Sequence, residues 1–387
     1  MARFRYAVLE NDKALASTST SGTETIDLPE NGILSSVNLQ TRCAQTYTDN
    51  HTLPFFLALT KIELLVNGST VVKSLTGRQA RALSWYSGGP FSVTNDYEPD
   101  VNSNLVYKDF PLYLGRTVDD TKFGLDLARY NNPQLKFTYD LSTVAYDGVT
   151  YDSNTTNPTL TYNVMAKVLD GVPPGFQNRY IQSSEIDSWT VAASTEHDTQ
   201  IPRGYDLYGL MLECRYKALG FNDFFDHVKL DFDNGKWLPI DMDYENLAIL
   251  HKEAWPQPCE VNLYDSLANA DDLDTQLMYV NGAGNATVGG NVACCKLPIL
   301  YYPINVVTMQ DFDGAAITSP TQVQSTIKGW GPHQTFYIPM RMLLDGEAMA
   351  VDTKQFGRID CKVKTGASSG SSAITRIVAE YVKPNGE

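Results

Sequence analysis

The chain is poor in the residues that mark most metal centres, redox sites and nucleic-acid grooves. Its six cysteines, Cys43, Cys214, Cys259, Cys294, Cys295 and Cys361, are scattered without any CxxC spacing. Adjacent Cys294 and Cys295 cannot readily bridge to each other, so reduced, mostly buried thiols are expected rather than a disulfide framework. The five histidines, His51, His197, His227, His251 and His333, stand alone, with no HxH or HExxH spacing to bring two imidazoles to one metal. Positive charge is also scarce. Thirty Lys and Arg face 45 Asp and Glu, a net charge of −15, which argues against a surface that wraps nucleic acid phosphates. No apolar run approaches the ~20 residues of a membrane span, and the opening MARFRYAVLENDKALAS holds no signal-peptide core. A soluble chain made in the cytoplasm is the expectation.

Phosphate loops and catalytic spacings are missing too. In NGAGNATVGGN, around Gly282 and Gly284, Thr287 stands where a GxGxxG pattern needs its third glycine, and no GxxxxGK[ST] occurs. The DFDNG segment at Asp231 resembles a calcium loop, but its glycine falls at the fifth position instead of the sixth, and a hairpin explains it better. Paired carboxylates could serve a β-sandwich glycosidase, yet no particular pair stands out. Acidic clusters such as Asp119-Asp120 and Asp271-Asp272 read as solvated surface. The aromatic groups Trp85-Tyr86 and Tyr301-Tyr302, with Trp189 and Trp330, suit core or interface packing better than sugar platforms. No catalytic, cofactor-binding or metal-ligating residue is therefore assigned, and no cofactor is expected.

What the chain does have is strand-forming material. Tyr (22) and Phe (15) accompany many Val, Ile and Thr residues in short alternating runs, separated by Gly, Pro, Asn and Asp. Ile62-Leu64-Val66, Leu135-Phe137-Tyr139-Leu141, Val228-Leu230-Phe232 and Ile359-Cys361-Val363 each turn one face to a core at period two. A hydrophobic share of 43% against 19% charged residues is that of a folded chain, and 387 residues suggest two domains.

A weak internal repeat organises the whole. LPENGILSSVNLQTR from Leu28 aligns without gaps to IPRGYDLYGLMLECR from Ile201, so that Pro29/Pro202, Leu34/Leu207, Val37/Leu210, Leu39/Leu212 and Arg42/Arg215 fall in register. The same series follows each copy. A strand runs into Asn67-Gly68 or Asn234-Gly235, the pair that tolerates the positive φ of a tight hairpin. A short candidate helix comes next, TGRQARALSWYS from Thr76 or DMDYENLAILHK from Asp241, each opening on an N-cap residue type. Both halves close on β-rich runs, TLTYNVMAKVL from Thr159 and AITRIVAEYVK from Ala373. The boundary is expected between about Gly171 and Thr199, dividing the chain into 1–190, with an N-terminal arm, and 191–387. Longer loops are expected near 87–105, 142–158, 266–296 and 311–333.

Two such β-units, and TIDLPENGILSSVNLQTR followed by KIELLVNGSTVVKSLTG above all, resemble the double jelly-roll major capsid proteins of the tectivirus and adenovirus-like lineage. The resemblance implies an all-β fold of two tandem eight-stranded jelly-roll sandwiches with short helices in loops. It also implies a homotrimer that forms a pseudo-hexagonal capsomer in an icosahedral virion, assembled in the host cytoplasm, with no enzymatic activity. The implied partners are neighbouring capsomers, minor capsid or vertex proteins and an internal membrane, with no specific nucleic acid. The two N-terminal cations Arg3 and Arg5 would face the capsid interior. Two alternatives remain open at this point, a carbohydrate-binding tail or spike protein and an extracellular β-sandwich glycosidase.

Overall fold

The computed structural model describes residues 2–15, 21–45, 59–89, 104–140, 160–215, 224–266, 322–345, 349–367 and 373–386, with short pieces between 273 and 307. The first half contains β1 Arg3–Ala14, β2 Ser21–Asp27, β3 Ile33–Gln45, β4 Leu59–Val66, β5 Thr70–Leu75, helix α1 Gly77–Tyr86, β6 Asn104–Tyr113, β7 Leu125–Asp126, β8 Gln134–Asp140 and β9 Leu160–Asp170. The second half opens with β10 Arg179–Thr190, β11 Glu196–Gln200, β12 Asp206–Arg215, β13 His227–Phe232, β14 Trp237–Asp243 and helix α2 Tyr244–Ala254. An elaborated segment follows: β15 Cys259–Ser266, β16 Leu273–Asp274, β17 Leu277–Val280, β18 Ala286–Val288, β19 Asn291–Ala293, β20 Val306–Val307 and β21 Gln322–Pro332. The half then closes with β22 Thr335–Pro339, β23 Val351–Asp352, β24 Ile359–Lys364 and β25 Ile374–Pro384.

The sheet order states the duplication directly. In the first half β1-β9-β3-β6 forms one sheet and β2-β8-β4-β5 the other; the second half repeats them as β10-β25-β12-β22 and β11-β24-β13-β14. Each half is thus an eight-stranded jelly roll of two four-stranded sheets. Alternation explains why these segments form sandwich walls. In β8, Leu135, Phe137 and Tyr139 are buried while Gln134, Lys136, Thr138 and Asp140 lie toward solvent. The pairs Leu34/Leu207, Val37/Leu210 and Leu39/Leu212 are all fully buried, each trio in the core of its own half.

The repeat extends to irregularities that composition cannot encode. The β3–β9 register shifts between Leu34 and Ser36, and the β12–β25 register shifts at the corresponding place, between Leu207 and Gly209. A β-bulge bends a strand locally, so both sandwiches carry the same bend at the same point. The two-residue strand β7 sits on β3 as β23 sits on β12, and each leads into a single 3-10 turn.

Both hairpins link equivalent strands, β4 to β5 and β13 to β14. Asn67 and Gly68 take the left-handed φ values of 53° and 78° that a tight turn requires. In the second turn Asp233, Asn234 and Gly235 are all left-handed. Counted back from the following strand, Asn67-Gly68 and Asn234-Gly235 coincide; counted from the preceding one, the second turn is a residue longer.

Four expectations need correction. Residues 3–14 are no arm: β1 pairs with β9 from Arg3↔Asp170 to Ala14↔Thr161 as an edge strand. Strand β10, placed before a division at residue 190, pairs with β25 from Arg179↔Pro384 to Thr190↔Ile374, so its hydrogen bonds tie it to the second half. The helix expected from Asp241 begins at Tyr244, because residues 241–243 still belong to β14 and Asp243 is the N-cap. Within the loop expected at 311–333, residues 322–332 form β21, which pairs with β15; the loop at 142–158 lies outside the described residues.

Candidate functional site

The densest buried polar arrangement lies on the seam between the two jelly rolls. It begins with backbone pairing. Edge strand β5 of the first unit runs parallel to edge strand β10 of the second, with Lys73 opposite Ser183 and Ser74 opposite Ser184. One nine-stranded sheet, β2-β8-β4-β5-β10-β25-β12-β22 with β23 attached, therefore crosses both units.

Helix α1 leads from β5 into the seam, and its start is dictated locally. Thr76 accepts from the Gln79 N–H at 3.2 Å while Gln79 Oε1 accepts from the Thr76 N–H at 2.9 Å, a capping box that satisfies two otherwise orphan donors. The other end of the same amide reaches across the seam, where Gln79 Nε2 donates to Glu213 at 2.8 Å and Glu185 at 3.0 Å. One side chain thereby fixes both the helix start and its place on the second unit.

Glu213, on β12, is the centre of this cluster. Its carboxylate lies 3.3 Å from Arg78 of the first unit and 3.4 Å from Arg376 of the second. Arg78 also donates to the His333 carbonyl at 2.5 Å. Beside it, Glu185 has its pKa raised by burial, with Gln79 and Arg376 pulling the other way. A second chain of contacts starts at Lys73. Its amine donates to Ser183 at 2.6 Å, Ser183 donates to Glu380 at 2.5 Å, and Tyr337 donates to the other Glu380 oxygen at 2.7 Å. Burial pushes the Lys73 amine down to about 8 despite Glu380 at 3.8 Å.

Apolar contacts complete the seam. Tyr180, Met211, Tyr337 and Val378 of the second unit belong to the core cluster of the first. Trp85 and Tyr86 pack among His251, Trp255 and Tyr337, with Tyr86 stacked on Tyr337 at 5.0 Å between ring centroids. The Tyr86 hydroxyl donates to the Thr335 carbonyl at 2.9 Å. His251 is buried among these rings, and that desolvation drops its pKa to about 3, leaving it neutral. Gly209, at the bulge of β12, has no side chain because a Cβ there would collide with the Tyr337 hydroxyl.

The chemistry of the seam is that of a fastener. Its carboxylates are held by cations and amides, and its hydroxyls are donors within closed pairs, so it presents no nucleophile and base to an incoming substrate.

The other sequence candidates fall elsewhere. Asp231 accepts from the Gly235 N–H at 2.6 Å within the hairpin turn, and Asp233 accepts from the Gly357 and Arg358 N–H groups, tying that turn to the segment before β24. His227 lies 2.7 Å from both Asp241 and Asp243, which raise its pKa, Asp243 foremost. His197 meets Asp187 at 2.9 Å and stacks on Trp189 at 3.9 Å. Trp330 is buried and donates to the Trp255 carbonyl at 2.8 Å. Cys214, Cys259 and Cys361 are buried in the core. His51, Cys294-Cys295 and Tyr301-Tyr302 lie outside the described residues. Among the described residues no group of three or more His, Cys, Asp or Glu side chains is arranged to hold a metal ion.

Two jelly rolls in one chain, bonded edge to edge, define the double jelly-roll fold. No family profile and no curated protein sequence matches the chain, but solved structures of this fold do. The crystal structure of the STIV major capsid protein overlaps 99% of this chain and 98% of its own at 11% identity, with a TM-score of 0.60. VP54 of PBCV-1, in its fit to the virophage Sputnik, covers 99% and 94% at 10% identity and a TM-score of 0.54. The major capsid protein P2 of bacteriophage PM2 covers 98% of both chains at 10% identity and a TM-score of 0.50. At these identities the likeness is one of fold.

Proposed function

We propose that the chain is a viral major capsid protein, a shell tile that assembles as a homotrimer of pseudo-hexagonal outline in an icosahedral capsid. The observation that carries this reading is the duplication of one sandwich across the whole chain, with the two copies held in a fixed relation by a buried seam. A trimer of such a chain presents six similar units, so threefold symmetry can fill a nearly sixfold position with one kind of subunit. The end-to-end overlap with the STIV and PM2 major capsid proteins supports the same reading. The units divide between β9 and β10, at residues 171–178. Function then resides in side-wall contacts with neighbouring capsomers and with minor capsid or vertex proteins, and the protein is not an enzyme. Its place is the virion shell, after synthesis and assembly in the host cytoplasm, with an internal membrane beneath it.

The sugar-binding alternative loses its main candidates, because Trp85, Tyr86 and Trp330 are engaged in internal packing. Electron micrographs of the purified protein test the proposal. Roughly hexagonal particles with threefold symmetry are expected, and elongated or irregular monomers would refute it.

A further inference from the structure

The eight sandwich strands of the two units match one for one, but their exposure does not. Within the chain the seam uses β5 and α1 of the first unit and the sheet β10-β25-β12-β22 of the second. By the duplication, the counterparts of these surfaces are β14 with α2 in the second unit and the sheet β1-β9-β3-β6 in the first. Among the described residues β14 pairs only with β13 and β1 only with β9. Both counterpart edges are open.

Register places individual residues. The β1–β9 shift between Val8 and Glu10 corresponds to the β10–β25 shift between Glu185 and Asp187, so Tyr6 and Ala7 stand where Ser183 and Ser184 stand. The hairpin registers likewise put Ile240 and Asp241 where Lys73 and Ser74 are. Counting from the N-caps Thr76 and Asp243 makes Asn246 and Ile249 the counterparts of Gln79 and Ala82.

At several of these positions the seam covers what its counterpart leaves bare, although Ile240 is as buried as Lys73. Gln79 and Ala82 are fully buried; Asn246 is exposed and Ile249 is 56% exposed. Val378 is fully buried, whereas its counterpart Met165 is 37% exposed. Val8 is 67% exposed and sits opposite Met165 across β1 and β9, and its seam counterpart Glu185 is exposed as well. Of the seven large apolar side chains exposed among the described residues, five lie on the two counterpart surfaces: Tyr6, Val8 and Met165 on one, Leu238 and Ile249 on the other. Two complementary apolar surfaces on opposite halves of one chain are the signature of a head-to-tail contact.

We propose that β14 and α2 of one copy dock on β1 and the adjoining face of Tyr6, Val8 and Met165 of a second copy, repeating between chains the seam that joins the units within one. The occupant is another molecule of this protein, with Tyr6 and Ala7 running parallel to Ile240 and Asp241. Even the donor across the seam has a counterpart: Gln182 donates to the Val71 carbonyl at 2.8 Å, and Arg5 and Leu238 hold the equivalent positions. The inference rests on the capsid reading, because three two-unit chains joined this way close a ring of six.

Disulfide trapping tests it. Paired strands lie ~4.8 Å apart, within the Cα separation of about 4.4–6.8 Å that a disulfide spans. The Ser74→Cys, Ser184→Cys variant should close an internal bridge and migrate as a monomer on a non-reducing denaturing gel. The Ala7→Cys, Asp241→Cys variant should instead give covalent dimers and trimers that reductant collapses to monomers. As a second arm, Ile249→Asp should lower the trimer fraction at least tenfold with unchanged circular dichroism, while Ile374→Asp, on an exposed site away from both surfaces, should leave the trimer intact. A trimeric wild type whose Ala7/Asp241 pair fails to cross-link while Ser74/Ser184 closes, or whose Ile249→Asp variant stays trimeric, overturns this interface and spares the capsid reading. A monomeric wild type removes both.

Discussion

Glu213 concentrates three donors, from Arg78, Gln79 and Arg376, on one buried carboxylate. A buried ion pair adds little net stability over an apolar one, but removing one partner strands the others away from water. Glu213→Ala should therefore destabilise the protein by about 3–5 kcal/mol in denaturant unfolding, whereas Asp170→Ala, which breaks the exposed pair with Arg5 at 3.0 Å, should cost under ~1 kcal/mol. His251 makes a pH-dependent contribution. Its folded pKa is depressed to about 3 from 6.5 by burial, so the unfolded chain binds a proton that the folded chain refuses between those values. Stability is fully present above pH 6.5 and falls as pH drops toward 3, by about 1.4 kcal/mol per unit from this group. His251→Leu should flatten the stability profile between pH 6 and 4, and an unchanged slope would contradict the burial account.

At the scale of elements, the hairpins and α1 were legible because their signals are local. Asn-Gly needs only its own backbone freedom, and Thr76 with Gln79 forms a box within one turn. Thr76→Ala should cost about 1 kcal/mol in thermal or denaturant unfolding. Asp243→Ala should cost less in the helix itself, since the Asp243 side chain makes no cap hydrogen bond and is turned to His227. The N-cap of α2 is ambiguous in the sequence because Asp241 and Asp243 are both cap-type residues, and cross-strand pairing of His227 with Asp243 decides that the strand continues. TYNVMAKVL and RIVAEYVK each carry three polar residues and a run of three apolar ones, Val164-Met165-Ala166 and Ile377-Val378-Ala379, so the two strands read alike in sequence. The structure has β25 buried from Ile377 to Val382, while β9 alternates. That difference in burial marks which unit's sheet the seam covers.

For the whole molecule, the duplication and the two sandwiches could be read from Leu34/Leu207 onward because core faces tolerate substitution but not loss of pattern. The seam could not. Glu213, Glu380 and Lys73 look like surface residues in a one-dimensional reading, and only the parallel pairing of β5 with β10 brings them together. The pairing of β10 with β25 is equally hidden, because β10 follows the linker closely and resembles any other alternating run. The elaboration from β15 to β21 has no counterpart of similar length between α1 and β6, so the repeat gave it no template.

A duplicated, seam-joined chain that serves as a shell tile must associate through large complementary walls of more than ~2,000 Å². Light scattering on the purified protein at micromolar concentration measures this most directly. A single species of about 129 kDa, three times the 42.9 kDa chain, is the expected result, and a stable 42.9 kDa monomer would contradict the account.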